Sequence, residues 1–263
     1  MISSNIKALI LDMDGVLWTE NNPIGDLPKI FQTISDRSLS VALATNNSTR
    51  TPDQYIDRLK HFGVTSLEAW QVITSSLALS HELARIFPDK GNVFIIGEDG
   101  LRKALEDCGF CVVDDEHAEN VIAVAVGIDR YITFNKLRRA SLLIRKGLPF
   151  LGTNPDKTFP TPEGLILGTG ALLAALSTAT DVSPIIMGKP SPIMIALARQ
   201  RLGVLPNEAL VIGDRLETDI AGGQADACFT GLVFSGVTTP EAAHSWQPAP
   251  DYCAKDLSAL LEI

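Results

Sequence analysis

The feature that most restricts the fold of this chain is the character of its apolar runs. "ALIL" from Ala8, "VALA" from Val41, "VFII" from Val93, "VIAVAV" from Val121 and "ALVIG" from Ala209 are short, unbroken and bounded by polar turns. None has the in-and-out alternation of a strand with one wet face. Strands that are apolar on both sides are buried on both sides, and such strands belong to parallel sheets covered by helices. Helical stretches fall where that arrangement needs them. One is expected near Leu27 to Ser35. A second follows Thr51 as N-cap, with Pro52 in its first turn and Gly63 as its stop. Others are expected near Leu77 to Phe87, in "TFNKLRRASLLIRKG", and after Ser191 and Pro192. The repeated order strand, loop, helix predicts an α/β fold.

The chain divides unevenly. A block at 77–183 contains its own strands and helices and reads as a separate α/β unit, while 1–76 and 184–263 make a discontinuous core. With 263 residues, 46% hydrophobic and 20% charged, there is ample material for both. No run approaches the roughly twenty apolar residues that a bilayer span requires. The opening "MISSNIKALILDMDG" lacks the basic leader and long apolar region of a signal peptide, so a cytoplasmic protein is expected. A net charge of −9 without a Lys/Arg block argues against an extended nucleic-acid partner. It leaves room for a small anionic substrate, because a metal ion or one lysine can reverse the local field. Cys108 and Cys111 have C-x-x-C spacing, but they sit at the end of a helix. A redox pair wants a helix N-terminus, so all four cysteines are expected to be reduced and structural.

Four places combine a strand end with unusual polar residues: Asp12 and Asp14; Thr45 and Asn46; Lys189; and Asp214 with Asp219. Singly, each is an ordinary turn residue or surface charge. Together they would lie on the carboxyl edge of one parallel sheet, the edge at which open α/β sheets bind ligands. Converging carboxylates repel unless a cation sits among them, and a hard ion with oxygen ligands, Mg²⁺, is the natural one. The chemistry that fits is phosphoryl transfer. One acid attacks phosphorus, its neighbour two residues on moves the protons, and Lys189 and Thr45 hold the non-bridging oxygens.

These motifs resemble those of the haloacid dehalogenase superfamily. The resemblance rests on Asp12-Met13-Asp14-Gly15 after an apolar strand, Thr45 in "ATNNSTRT", Lys189 in "GKPSP", and "GDRLETD" from Gly213 to Asp219. The runs "TNNSTRTP", "GTNPD" and "GKPSP" are similar to the class IIA branch of para-nitrophenylphosphatase-like and nucleotide-phosphatase-like enzymes. The resemblance implies a Rossmann-like core with an inserted C2-type cap. It implies a Mg²⁺-dependent phosphomonoesterase of a small phosphorylated metabolite. Asp12 would be the nucleophile, forming an aspartyl phosphate, and Asp14 the general acid and base. Asp12, Asp214 and the backbone carbonyl of Asp14 would hold the metal, with Asp219 behind them orienting water or Lys189. Thr45, Asn46 and Lys189 would bind phosphate. Dehalogenase members lack an acid at the position of Asp14, so its presence favours a phosphatase.

In the middle block, Asn154 and Asp156 of "GTNPD" either contact the leaving group or are turn residues. Trp18 either stacks on a substrate ring or packs a hinge. A phosphotransferase or mutase using the same intermediate, and a non-catalytic binding module on this scaffold, stand as rival functions. A homodimer is compatible with the sequence.

Overall fold

The computed structural model describes residues 2–115, 117–161 and 163–262. The chain forms two compact units. The first comprises Met1–Thr45, Pro52–Ile73 and Lys189–Ile263, and the second Asn46–Thr51 and Thr74–Gly188.

Among the described residues, six strands build the sheet of the first unit. Their order is Tyr252–Ala254, Phe229–Val233, Ala209–Gly213, Ala8–Leu11, Ser40–Thr45 and Val72–Thr74. The pairings from Tyr252–Ala254 across to Ser40–Thr45 are parallel, and Ala8–Leu11 lies between Ala209–Gly213 and Ser40–Thr45. All four residues of Ala8–Leu11 are fully buried, as a central strand of this pattern should be. The helix Leu27–Asp36 covers one face. It buries Leu27, Ile30, Phe31 and Ile34 at helical spacing, and the Asp26 side chain accepts from Lys29 N at 3.2 Å to close its start. These side chains join Leu9, Leu11, Trp18, Leu43 and Leu210 in one apolar core. Gly63, with φ +85°, lies just beyond the helix Pro52–His61.

The second unit has a parallel sheet of its own, ordered Ile185–Ile186, Phe150–Gly152, Val121–Val126, Asn92–Ile96 and Cys111–Val113. A separate antiparallel hairpin joins Thr158–Thr161 to Gly164–Leu167. The core here is Phe94, Ile96, Val124, Val126, Leu143 and Phe150 with the helix residues Leu172, Leu173 and Leu176. All four cysteines are free thiols, and Cys108 follows the helix Asp99–Asp107 as its C-cap.

Two sequence expectations change. The apolar run before Lys189 was expected to end a strand of the catalytic sheet. It forms only Ile185–Ile186, which pairs with Phe150–Gly152 in the second unit's sheet. Lys189 therefore enters the first unit from a connecting segment, because hydrogen bonding and not hydrophobicity decides which sheet a short strand joins. The segment Asn46–Thr51 also falls in the second unit. Its backbone explains why: Asn46 O accepts from Ser75 Oγ at 2.6 Å and from Asn154 Nδ2 at 2.7 Å, and Ser48 O accepts from Ser76 Oγ at 3.0 Å.

Candidate active site

Asp12 is the first residue past the strand Ala8–Leu11, and its N–H donates to Ile212 O at 2.8 Å, which holds it against the neighbouring strand end. Asp214 follows Gly213 on that neighbouring strand. The chain then makes one wide turn, Leu216–Ile220, with Ile220 N reaching back to Arg215 O at 3.2 Å. Such i to i+5 turns often mark functional positions. This one turns Asp219 inward. One carboxylate oxygen of each of Asp12, Asp214 and Asp219 lies within 4.8 Å of the others.

Lys189 holds this cluster together. Its Nζ lies 2.5 Å from Asp12 Oδ1 and 2.5 Å from Asp219 Oδ1, and it donates to Ala44 O at 2.9 Å. The last contact anchors it to the end of the strand Ser40–Thr45, beside the buried Thr45. The helix that follows Lys189, Pro192–Leu202, begins after Ser191, whose side chain makes no capping bond. The helix is fixed instead by Arg199, which forks onto Asp226 at 2.5 and 3.1 Å.

Asp214 is braced from the segment after the strand Phe229–Val233, which sequence reasoning did not single out. Val237 N donates to Asp214 Oδ2 at 2.7 Å, and Thr238 N to its backbone carbonyl at 3.1 Å. Ser235 Oγ donates to Gly15 O at 2.7 Å, closing the same region. The signal was available, since this segment leaves the same sheet edge. Gly15 has φ +88°, and a Cβ there would meet Asp214 Oδ2 at 2.5 Å. The glycine lets the backbone after the two acids pass directly over Asp214.

Asp14 stands apart from the buried carboxylates. Its side chain is exposed, and its Oδ1 accepts from the indole Nε1 of Trp18 at 2.9 Å. Trp18 itself is fully buried in the core beneath the Arg58 guanidinium, 4.2 Å from the ring centroid. Of its two expected roles, it packs, with no ring face open to a substrate.

The electrostatics follow from this packing. Burial pushes the Asp12 carboxyl well above its usual range. Lys189 opposes that shift, and Asp219, Asp214 and Asp14 add to it. Asp214 is raised to about 6, first by burial and then by Asp219, against the pull of the Val237 N–H. Burial alone would lower the Lys189 ammonium. The fields of Asp12 and Asp219 override it, so its pKa is raised and it stays charged. With all three acids ionised, Asp12, Asp214 and Asp219 would exceed the one ammonium by two negative charges. Asp214 Oδ1 is buried without a hydrogen-bond partner. An orphaned carboxylate oxygen in an all-oxygen donor set with that deficit fits a hard divalent cation.

In the second unit, the expected residues also meet. Asn46 Nδ2 lies 3.4 Å from each carboxylate oxygen of Asp156. Asn154 is buried, its Nδ2 on Asn46 O and its Oδ1 accepting from Asp156 N at 3.1 Å. That geometry makes Asn154 a brace for the Asn46 backbone and the Asp156 loop. Asp156 is half-buried.

A parallel α/β sheet with an acid pair past a central strand, Asp214 at the next strand end, Asp219 in the turn beyond it, and a lysine across them fits a phosphohydrolase-type site. The sequence matches the haloacid dehalogenase-like hydrolase profile over residues 9–111 and the HAD-hydrolase-like profile over 186–260. The chain belongs to the haloacid dehalogenase-like hydrolases, in their class IIA phosphatase branch. It is 37% identical to 5'-nucleotidase YutF of Bacillus subtilis, covering 89% of this chain and 90% of that protein. It is 33% identical to the acid sugar phosphatase of Staphylococcus aureus, covering 98% of each. Among solved structures, glycerol phosphate phosphatase of Mycobacterium tuberculosis in complex with magnesium superposes with a TM-score of 0.89 at 31% identity. That match covers 97% of this chain and 76% of the other.

Proposed function

We propose that this protein is a Mg²⁺-dependent phosphomonoesterase acting on a small phosphorylated metabolite, with Asp12 as the covalent nucleophile. The observation that carries this reading is the Lys189 ammonium, 2.5 Å from Asp12, beside an Asp214 oxygen with no partner. Asp12 and Asp214, with the backbone carbonyl of Asp14, would hold the metal. When bound, Mg²⁺ would polarise the phosphoryl group and screen an incoming anion from the acids.

Asp12 then attacks phosphorus through a carboxylate oxygen. The phosphorus–oxygen bond to the leaving group breaks, and Asp14 gives its proton to the departing oxygen. Lys189 and Thr45 hold the non-bridging oxygens as charge spreads onto them. In the second half, Asp14 takes a proton from water as that water attacks the phosphorus of the aspartyl phosphate. Inorganic phosphate leaves and Asp12 is restored. Asp219, ion-paired to Lys189, keeps the ammonium aimed at the phosphate site.

We assign leaving-group recognition to Asp156, with Asn154 as its support. The relatives' names carry different substrates, which is consistent with selection lying outside the carboxylate cluster. Purified protein with Mg²⁺ is expected to hydrolyse para-nitrophenyl phosphate, to lose that activity in EDTA, and to show no turnover as Asp12→Asn. Activity surviving either treatment would remove the reading. A panel of nucleoside monophosphates, sugar phosphates and glycerol phosphate then ranks substrates, and Asp156→Ala should reorder that ranking.

A further inference from the structure

Asp14 is an exposed carboxylate on a turn, with rotational freedom to lose before it can transfer a proton. The turn after Asp12 is unusually closed. Met13 O accepts from Leu17 N at 2.8 Å, and Gly15 N donates to Trp18 O at 2.8 Å. Within that closed turn the Trp18 Nε1–H reaches Asp14 Oδ1 at 2.9 Å. The indole cannot swing away. Trp18 is wholly buried, with Phe62 at 5.9 Å between ring centroids and the Arg58 guanidinium over its face. Arg58 is itself bonded to the carbonyl of Glu20.

We propose that Trp18 is the positioning residue of the proton-transfer step, fixing which Asp14 oxygen faces the leaving group. The inference rests on the role assigned to Asp14 above. An indole N–H can only donate, so Asp14 Oδ1 must present a lone pair to it. A carboxyl O–H oxygen is a poorer acceptor than the carbonyl oxygen, so this bond favours a proton carried by Asp14 on Oδ2. That oxygen delivers it to the leaving oxygen as the phosphorus–oxygen bond breaks, and the same oxygen later receives the proton from water. The cation over the ring face draws electron density from the indole and strengthens its N–H as a donor. The clamp thus does two things: it removes the rotation of the Asp14 side chain and it breaks the equivalence of its two oxygens. Orientation of this kind carries large rate factors, since a displacement of about 1 Å can cost roughly a hundredfold.

The test is leaving-group dependence, which a purely structural role for Trp18 would not move. kcat/KM, which reports the steps through formation of the aspartyl phosphate, is measured with Mg²⁺ for para-nitrophenyl phosphate and for glycerol phosphate. The first leaving group departs without a proton and the second needs one. Trp18→Phe should lose about 10- to 100-fold on the alkyl phosphate and less than about threefold on the aryl one. Replacing Trp18 with benzothienylalanine, which keeps the ring shape and deletes only the N–H, should reproduce the split with thermal melting unchanged. That second variant decides the matter if Trp18→Phe does not fold. Equal losses on both substrates, or no loss on either, would overturn the proposal. Asp14→Asn is run alongside. If it shows no leaving-group dependence, the role of Asp14 falls and the proposal falls with it. If it does while the Trp18 variants do not, only the role of Trp18 is refuted.

Discussion

Lys189 is the residue on which the buried charge cluster depends. Its ammonium is nearly inaccessible and sits between Asp12 and Asp219. Removing one partner of a buried ionic group leaves the others without compensation, at a cost of about 3–5 kcal/mol. Lys189→Met is therefore expected to lower the urea midpoint of the metal-free protein strongly, and Mg²⁺ should restore part of the loss. An unchanged midpoint would show that the acids are neutral without it. Gly15 is constrained by shape instead. Any side chain at φ +88° is strained, and here the Cβ would also strike the Asp214 carboxylate. Gly15→Ala should cost about 1–2 kcal/mol from backbone strain alone, and it should weaken Mg²⁺ binding measured by calorimetry. A variant that melts lower yet binds Mg²⁺ normally would separate the two effects and count against the contact with Asp214.

At the level of elements, each acid of the cluster is placed by a strand end plus one local device. Asp12 has its backbone bond to Ile212, Asp214 the Val237 N–H, and Asp219 the wide turn at Leu216–Ile220. The strands were readable from their apolar runs. The devices were not, because a hydrogen bond between residues 214 and 237 leaves no periodic trace. The helix Ser75–Ile86 illustrates the opposite case. Thr74 precedes it in extended conformation and its hydroxyl oxygen accepts from Leu77 N at 3.2 Å. Thr74→Ala should cost about 1 kcal/mol of stability in chemical denaturation and leave kcat on para-nitrophenyl phosphate largely unchanged, since the hydroxyl serves Leu77 N and none of the acids. A large fall in kcat with no change in stability would give Thr74 a role that the cap does not explain.

For the whole molecule, the proposed metal binding would be linked to stability through Asp214. Its folded-state pKa lies above its unfolded one, so its contribution to the metal-free protein is complete below the unfolded value. That contribution is lost as pH rises through about 6. Asp12 is shifted in the same direction. Mg²⁺ needs both groups ionised. The rise in melting temperature on adding Mg²⁺ should thus be small at about pH 5 and grow through about pH 7.5. Scanning calorimetry with and without EDTA measures it, and a pH-independent increment would contradict the linkage. No helix among the described residues is long and apolar enough to cross a membrane.

Composition and pattern determined the α/β class and the family, and they nominated the acids, hydroxyl and lysine of the proposed site, because apolar runs and short motifs are local in the chain. Tertiary structure decided what those residues face. It moved the strand before Lys189 into the other sheet, and it drew Asp219 into the carboxylate cluster. It also decided between the two readings of Trp18, which packs in the core with its indole N–H on Asp14. The physical reason is the same in each case. A short strand, a carboxylate or an indole has several satisfactory partners within reach of its own sequence. Which one it takes is set by contacts between segments far apart in the chain, such as Lys189 with Asp12 and Asp214 with Val237.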